Sequence, residues 1–264
     1  MIPLHDDNPT VLRPVVTIGL IAACVLVFLW QQSLSPEEEV RAVYALGLIP
    51  AVLFGELALP PVIVMVPAEL SIITSMFLHG GWLHLAGNML YLWIFGNNIE
   101  DAMGHARFVV FYLLCGIAAA LAQAVEDPGS VVPMVGASGA IGGILGGYLL
   151  LYPRARVLVL IPLGFFSQLI RIPALWVLGF WFVLQFIQSA LSSGQVGGVA
   201  YWAHIGGFIA GMVLIIPFRN KAFPLLAGLR RGTAHSTGTS KTRRRGPRAG
   251  SRRGRRPPRR GPWG

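Results

Sequence analysis

Ser138 stands in Val135-Gly-Ala-Ser-Gly-Ala-Ile-Gly-Gly143, at the start of an apolar, glycine-rich run, and His204 stands inside another, in Ala203-His-Ile-Gly-Gly-Phe-Ile-Ala-Gly211. A hydroxyl and an imidazole are expensive to keep within hydrocarbon. Together they point to serine chemistry: neutral imidazole takes the hydroxyl proton, the oxygen attacks, and the proton passes to the leaving group. Gly136 and Gly139 flank Ser138 with no side chains, so a substrate backbone can come close. If Ser138 opens a helix, unpaired backbone N–H groups and the helix dipole favour negative charge beside it. The plainer alternative is that Gly139, Gly143 and Gly147 form a packing stripe in which Ser138 is one more small residue.

His204 is followed by Gly207 and Gly211, three and seven residues on and on the same helical face. Paired with the stripe after Ser138, they would let two helices approach closely enough to bring the imidazole to the hydroxyl. Alone, His204 also reads as a structural histidine bonded to a helix carbonyl. The third group is His79-Gly-Gly-Trp-Leu-His84-Leu-Ala-Gly-Asn88. His84 and Asn88 are one helical turn apart and offer neutral donors, which suits an oxyanion hole. His79 is expected to line the same polar cavity. Zinc is the competing reading of these histidines, but there is no His-Glu-x-x-His and no acid nearby, so neither metal nor cofactor is expected. None of the eleven acids falls at this depth, Glu100 and Asp101 lying at the other end of their span. The economical arrangement is a Ser138–His204 dyad, its imidazole oriented by packing or by a neutral hydrogen bond.

The elements that must position these residues are membrane helices. The 264 residues are 54% hydrophobic and only 12% charged, with mean hydropathy +0.64. Soluble domains carry about twice that charge. The apolar residues come in runs near 14–32, 82–99, 106–125, 138–152, 173–192 and 200–218, each about long enough to cross a bilayer. The fold expected is an all-α, six-helix polytopic bundle. The first run lacks a basic start and a small-residue cleavage site, so it is expected to be retained. Cys24 and Cys115 lie inside apolar runs and read as core thiols.

Charge sets orientation and organisation. From Arg219 onward there are 15 Lys or Arg and no acid, whereas residues 1–218 carry six basic and eleven acidic residues, a net of −5. The loops at 33–81 and 126–127 are acidic, while Arg107, Arg154, Arg156, Arg171 and the basic tail fall on the opposite side. The positive-inside rule then puts both termini in the cytoplasm, and a bacterial plasma membrane is the expected setting. Three regions result: a cytoplasmic segment 1–13, a membrane domain 14–218, and a basic disordered tail 219–264. The tail could contact anionic lipid headgroups, with no specific nucleic acid expected. The external stretch 33–81 is too long for a plain connector and reads as a partly embedded element. Residues 157–165, broken by Pro162, read as a cytoplasmic interfacial segment. In this topology Ser138, His204, His84 and Asn88 all lie at similar depth in the outer half of the membrane.

These blocks together resemble the rhomboid family of intramembrane serine proteases. Thr74 to Met89 is similar to that family's His-x-x-x-Asn helix and its lead-in. Gly136-Ala-Ser138-Gly139 is similar to its nucleophile block, and Ala203-His204 through Gly211 to its histidine helix. The resemblance implies Ser138 as nucleophile and His204 as general base. It also implies oxyanion stabilisation by Asn88, His84 and the Ser138 N–H, and substrates that are transmembrane proteins entering from the lipid side. Two positions depart from the pattern. Gly142 stands where an aromatic residue often stacks on the histidine, and 33–81 has no clear tryptophan–arginine pair. A catalytically silent scaffold that binds membrane clients is the main rival reading. A small transporter is another, although intramembrane acids for a proton relay are lacking.

Overall fold

The computed structural model describes residues 1–163, 166–191 and 199–227. Strand β1 (Ile2–Asp6) precedes α1 (Val15–Gln32). The stretch 33–81 holds α2 (Pro36–Leu46), α3 (Pro50–Leu53) and α4 (Ser71–Thr74). Then come α5 (Trp82–Tyr91), a π-helical turn (Leu92–Gly96), α6 (Asn97–Met103), α7 (His105–Glu126) and α8 (Ser138–Leu151). Strands β2 (Arg156–Leu163) and β3 (Phe166–Pro173) lead into α9 (Ala174–Leu191), and α10 (Tyr201–Phe218) follows.

Among the described residues four helices, α1, α7, α9 and α10, are long and apolar enough to cross a membrane. The other two expected spans take different forms. One is the run α5–π turn–α6, and the other is α8, only 14 residues long. Nearly every residue of α8 from Gly139 to Tyr148 is buried, so it is the central helix, with α7, α9 and α10 around it. That position demands small residues. A Cβ on Gly207 or Gly211 would overlap the carbonyl oxygen of Gly139 or Gly143, and one on Gly146 would overlap that of Phe208. The two glycine stripes thus meet backbone to backbone.

α1 starts after Pro14 with no side-chain cap of its own. Glu100 of α6, fully buried, supplies one: its carboxylate accepts from the N–H groups of Val16 and Thr17 at 2.9 and 2.8 Å and from Thr17 Oγ1 at 2.6 Å. Paired first-turn donors and a helix N-terminus are what make a buried carboxylate tolerable. In the stretch 33–81, α2 opens with a capping box between Ser35 and Glu38, and Pro36 fits its first turn. Leu48 forms a two-way backbone bridge with Met134, which holds the segment leading into Ser138. Val62, Val64 and Met65 of this stretch are exposed.

The expected all-α fold and a disordered tail beginning at 219 need correction. The segment expected to be interfacial, 157–165, lies in a sheet: β2 and β3 pair as an antiparallel hairpin, and β1 joins β2 to give the order β1–β2–β3. A continuous apolar run carries no two-residue alternation, and a partner 150 residues earlier leaves no local trace. The segment 1–13 is tied down as well. Asp6 accepts from Tyr148 Oη at 2.6 Å and Asn98 Nδ2 at 2.9 Å, and Asp101 accepts from the N–H groups of Val11 and Leu12. Nor does the expected disordered tail begin at 219. Asn220 N–H donates to Ala102 O and Leu226 N–H to Leu150 O, because Phe223 and Leu225 are apolar and pack on the bundle. The basic stretch from 228 lies outside the described residues.

Candidate active site

Ser138 is the first residue of α8 and half-buried. Its own N–H has no carbonyl one turn back within the helix. Gly136, two residues earlier, sits at φ +123°, a left-handed conformation that suits glycine. Its N–H donates to Ser75 O at 2.9 Å, fixing the approach to the helix.

His204 lies in the first turn of α10 and is buried. Its Nε2 stands 2.9 Å from Ser138 Oγ across 66 residues of sequence. The contact follows from the glycine packing, since Gly207 against Gly139 leaves the two helix starts side by side. Gln123 of α7 helps seat this end of α10, its Oε1 accepting from Ala203 N–H at 3.3 Å.

His84 and Asn88 share one face of α5 and converge on Gly136. A Cβ added there would lie 2.7 Å from His84 Cε1, 2.8 Å from His84 Nε2 and 3.6 Å from Asn88 Nδ2. Only glycine leaves that space open. Gly80 N–H donates to His84 Nδ1 at 3.3 Å, which leaves Nε2 as the protonated, donating nitrogen on the Gly136 side. Asn88 Nδ2 is buried with no hydrogen-bond partner. An unpaired buried amide costs stability unless something else needs the donor. An oxyanion is the group this donor set suits.

His79 is fully buried behind His84, ring centroids 5.2 Å apart. Gln31 of α1 clamps its backbone, donating to its carbonyl and accepting from its N–H, while the ring's Nδ1 faces Phe77 O at 3.2 Å. It sits behind the expected cavity lining and braces it. Among the described residues no group of three or more His, Cys, Asp or Glu is positioned to hold a metal ion. A narrow cleft beside Ser138 is lined mainly by small residues, among them Gly116, Ala119, Gly139, Ala200 and Ala203.

The sequence left open what holds the His204 ring when position 142 is glycine. A Cβ on Gly142 would lie 3.0 Å from the His204 carbonyl oxygen and 3.5 Å from Phe208 N, so the close backbones leave little room there. The ring's neighbours come instead from α9. Gln185 Oε1 lies 2.7 Å from His204 Nδ1, and the Trp181 ring is 5.6 Å from the imidazole by centroids, tilted 38°. Neither residue was singled out in the sequence. The available signal was an amide inside an apolar span, which hydrocarbon alone would not favour.

Comparisons with known proteins bear on this arrangement. Residues 68–221 match a family model described as "Rhomboid domain". The chain is 38% identical over 146 residues to "Rhomboid protease GluP" of Bacillus subtilis (strain 168), the match covering 55% of this chain and 26% of that protein. It is 31% identical over 155 residues to "Rhomboid protein 1, mitochondrial" of Saccharomyces cerevisiae, covering 56% and 41%. Against "Rhomboid-like protease 5" of Toxoplasma gondii the identity is 33% over 147 residues, covering 54% and 15%. The matched region therefore makes up less than half of each of these relatives.

Proposed function

The chain belongs to the rhomboid family, and from that premise we propose that it is an intramembrane serine endopeptidase working through a Ser138–His204 dyad. The observation that carries the reading is the 2.9 Å approach of His204 Nε2 to Ser138 Oγ. As a peptide carbonyl enters, Ser138 Oγ attacks its carbon and the hydroxyl proton passes to His204 Nε2. The carbonyl oxygen becomes an oxyanion facing Asn88 Nδ2, His84 Nε2–H and the Ser138 N–H. Collapse breaks the C–N bond, and the imidazolium gives its proton to the leaving amine. Water then repeats the sequence on the acyl-enzyme, with His204 taking its proton and Ser138 recovering its own.

The bundle crosses the membrane six times in this reading. The α5–α6 run bends through its π turn, and α8 starts below the surface where the substrate bond must lie. Both ends face the cytoplasm of a bacterial cell, as the placement of Arg107, Arg154, Arg156 and Arg171 supports. Substrates are transmembrane proteins whose helix unwinds easily and carries small residues at the cut. The glycine and alanine lining of the cleft beside Ser138 favours that choice.

The test is cleavage of a single-span substrate in proteoliposomes by wild type, Ser138→Ala and His204→Ala. Activity in wild type and loss in both variants is expected. Folded wild-type protein that neither cleaves nor reacts at Ser138 with a serine-directed phosphonate would favour the silent scaffold.

A further inference from the structure

Resting on the dyad reading above, we propose that Gln185 is a positioning residue that selects the tautomer of His204, extending Ser138–His204 to a Ser–His–Gln relay with an uncharged third member. For His204 Nε2 to accept the Ser138 proton, the ring's own proton must sit on Nδ1. Gln185 Oε1, 2.7 Å away, accepts that Nδ1–H. The amide can present its oxygen because its other end is already committed: Gln185 Nε2 donates to Trp181 O at 3.1 Å, one turn back on α9. An amide turned the other way would aim N–H groups at Nδ1 and at a carbonyl would present oxygen, losing both bonds. Its carbonyl therefore faces the histidine.

The same turn of α9 supplies packing. The Trp181 ring lies against both His204 and Phe208, at 5.6 and 6.1 Å between centroids. It covers the imidazole from the α9 side, while Gly142 leaves the α8 side to bare backbone. One helix thus provides the acceptor and the aromatic contact, three and four residues being the spacing that stacks them on one face.

Burial supports a committed role. Gln185 is 5% exposed on a helix whose other buried residues, Ala174, Val177 and Leu178, all lie in its first five positions. An amide is a costly choice for that place unless its hydrogen bonds are used. An uncharged acceptor is also the cheaper way to hold an imidazole within a bilayer, because a buried carboxylate would have to be desolvated.

The experiment uses full-length protein in micelles and proteoliposomes. Gln185→Leu keeps the bulk and removes the acceptor, and Gln185→Glu keeps an acceptor oxygen. Phosphonate labelling of Ser138 and substrate cleavage are measured alongside thermal unfolding. Gln185→Leu is expected to lower kcat and the labelling rate about 10- to 100-fold with KM little changed, the size of one lost buried hydrogen bond, and Gln185→Glu is expected to recover part of the rate. ¹⁵N-histidine spectra, assigned through His204→Ala, should show one Nδ1–H tautomer in wild type and a mixture in Gln185→Leu. Wild-type labelling rate and a single tautomer in Gln185→Leu would overturn the inference while leaving the dyad intact. Wild-type protein inert toward phosphonate would overturn both.

Discussion

Replacing Gly207 with alanine adds one methyl group where α10 touches α8. That Cβ would overlap the carbonyl oxygen of Gly139 and lie 2.9 Å from its carbonyl carbon and 3.3 Å from Ala119 Cβ. The obstacles at Gly139 are backbone and cannot rotate aside. Carbon atoms settle at about 3.5 Å or more, so α10 must retreat from α8 by about 1 Å. His204 lies three residues before Gly207 on the same face and moves with it. Its 2.9 Å contact with Ser138 would open to about 3.9 Å, beyond hydrogen-bond range. Losing the general base costs about 10²- to 10⁴-fold in rate. Gly19→Ala on α1 is the control, since nothing lies within 4 Å of a Cβ there. Initial cleavage rates in proteoliposomes, normalised to folded protein by thermal unfolding, should place Gly19→Ala within about twofold of wild type and Gly207→Ala at least about 100-fold below it. Gly207→Ala protein that cleaves at the wild-type rate would refute the claim that the glycine stripes set the Ser138–His204 distance.

Asn88→Ala should lower kcat by about 10²- to 10³-fold without lowering thermal stability, because Nδ2 has no partner to lose in the free protein; a lower melting temperature with unchanged kcat would count against the oxyanion role. Glu100→Ala should destabilise the protein by about 3–5 kcal/mol in detergent unfolding, since it strands the N–H groups of Val16 and Thr17 and the Thr17 hydroxyl, while Glu100→Gln should cost less. Burial pushes the Asp6 carboxyl above its ordinary value of 3.8, outweighing the Tyr148 hydrogen bond that pulls it down. The folded state then holds the Asp6 proton more tightly than the unfolded one, so this contribution to stability falls as pH rises above 3.8. Thermal unfolding followed from about pH 4 to 7 should show that slope in wild type and a flatter one in Asp6→Asn.

The residues that meet at the candidate site were legible because each is a chemical anomaly in its surroundings. Ser138, His204, His84 and Asn88 are polar groups in apolar or glycine-rich stretches, and the glycine spacings announced which helix faces could close up. Gln185 is an anomaly of the same kind, but a single amide says nothing about which histidine it serves, and the span around it reads as plain lipid-facing helix. Glu100 looked like an ordinary charge at a helix end. Its task became visible only when α1, which begins with Pro14 and no capping side chain, was found beside it. The β-sheet was hidden for a different reason. Its first strand precedes α1 while the other two lie between α8 and α9, and periodicity in one window carries no information about a partner so distant in sequence.

That sheet carries a rule about counting. Hydrogen-bonded strands cannot close through a bilayer, so β1 and β2 lie on one side, and the chain between Asp6 and Arg156 crosses an even number of times. The same holds from Pro173 to Leu226, which returns to bond Leu150 at the end of α8. On the membrane reading proposed above, Met1 and Ala227 are expected to share a compartment whatever the total number of crossings. A variant that gains or loses one crossing between the strands must break the sheet, so reporters placed before Ile2 and directly after Ala227 are expected to agree in a folded molecule.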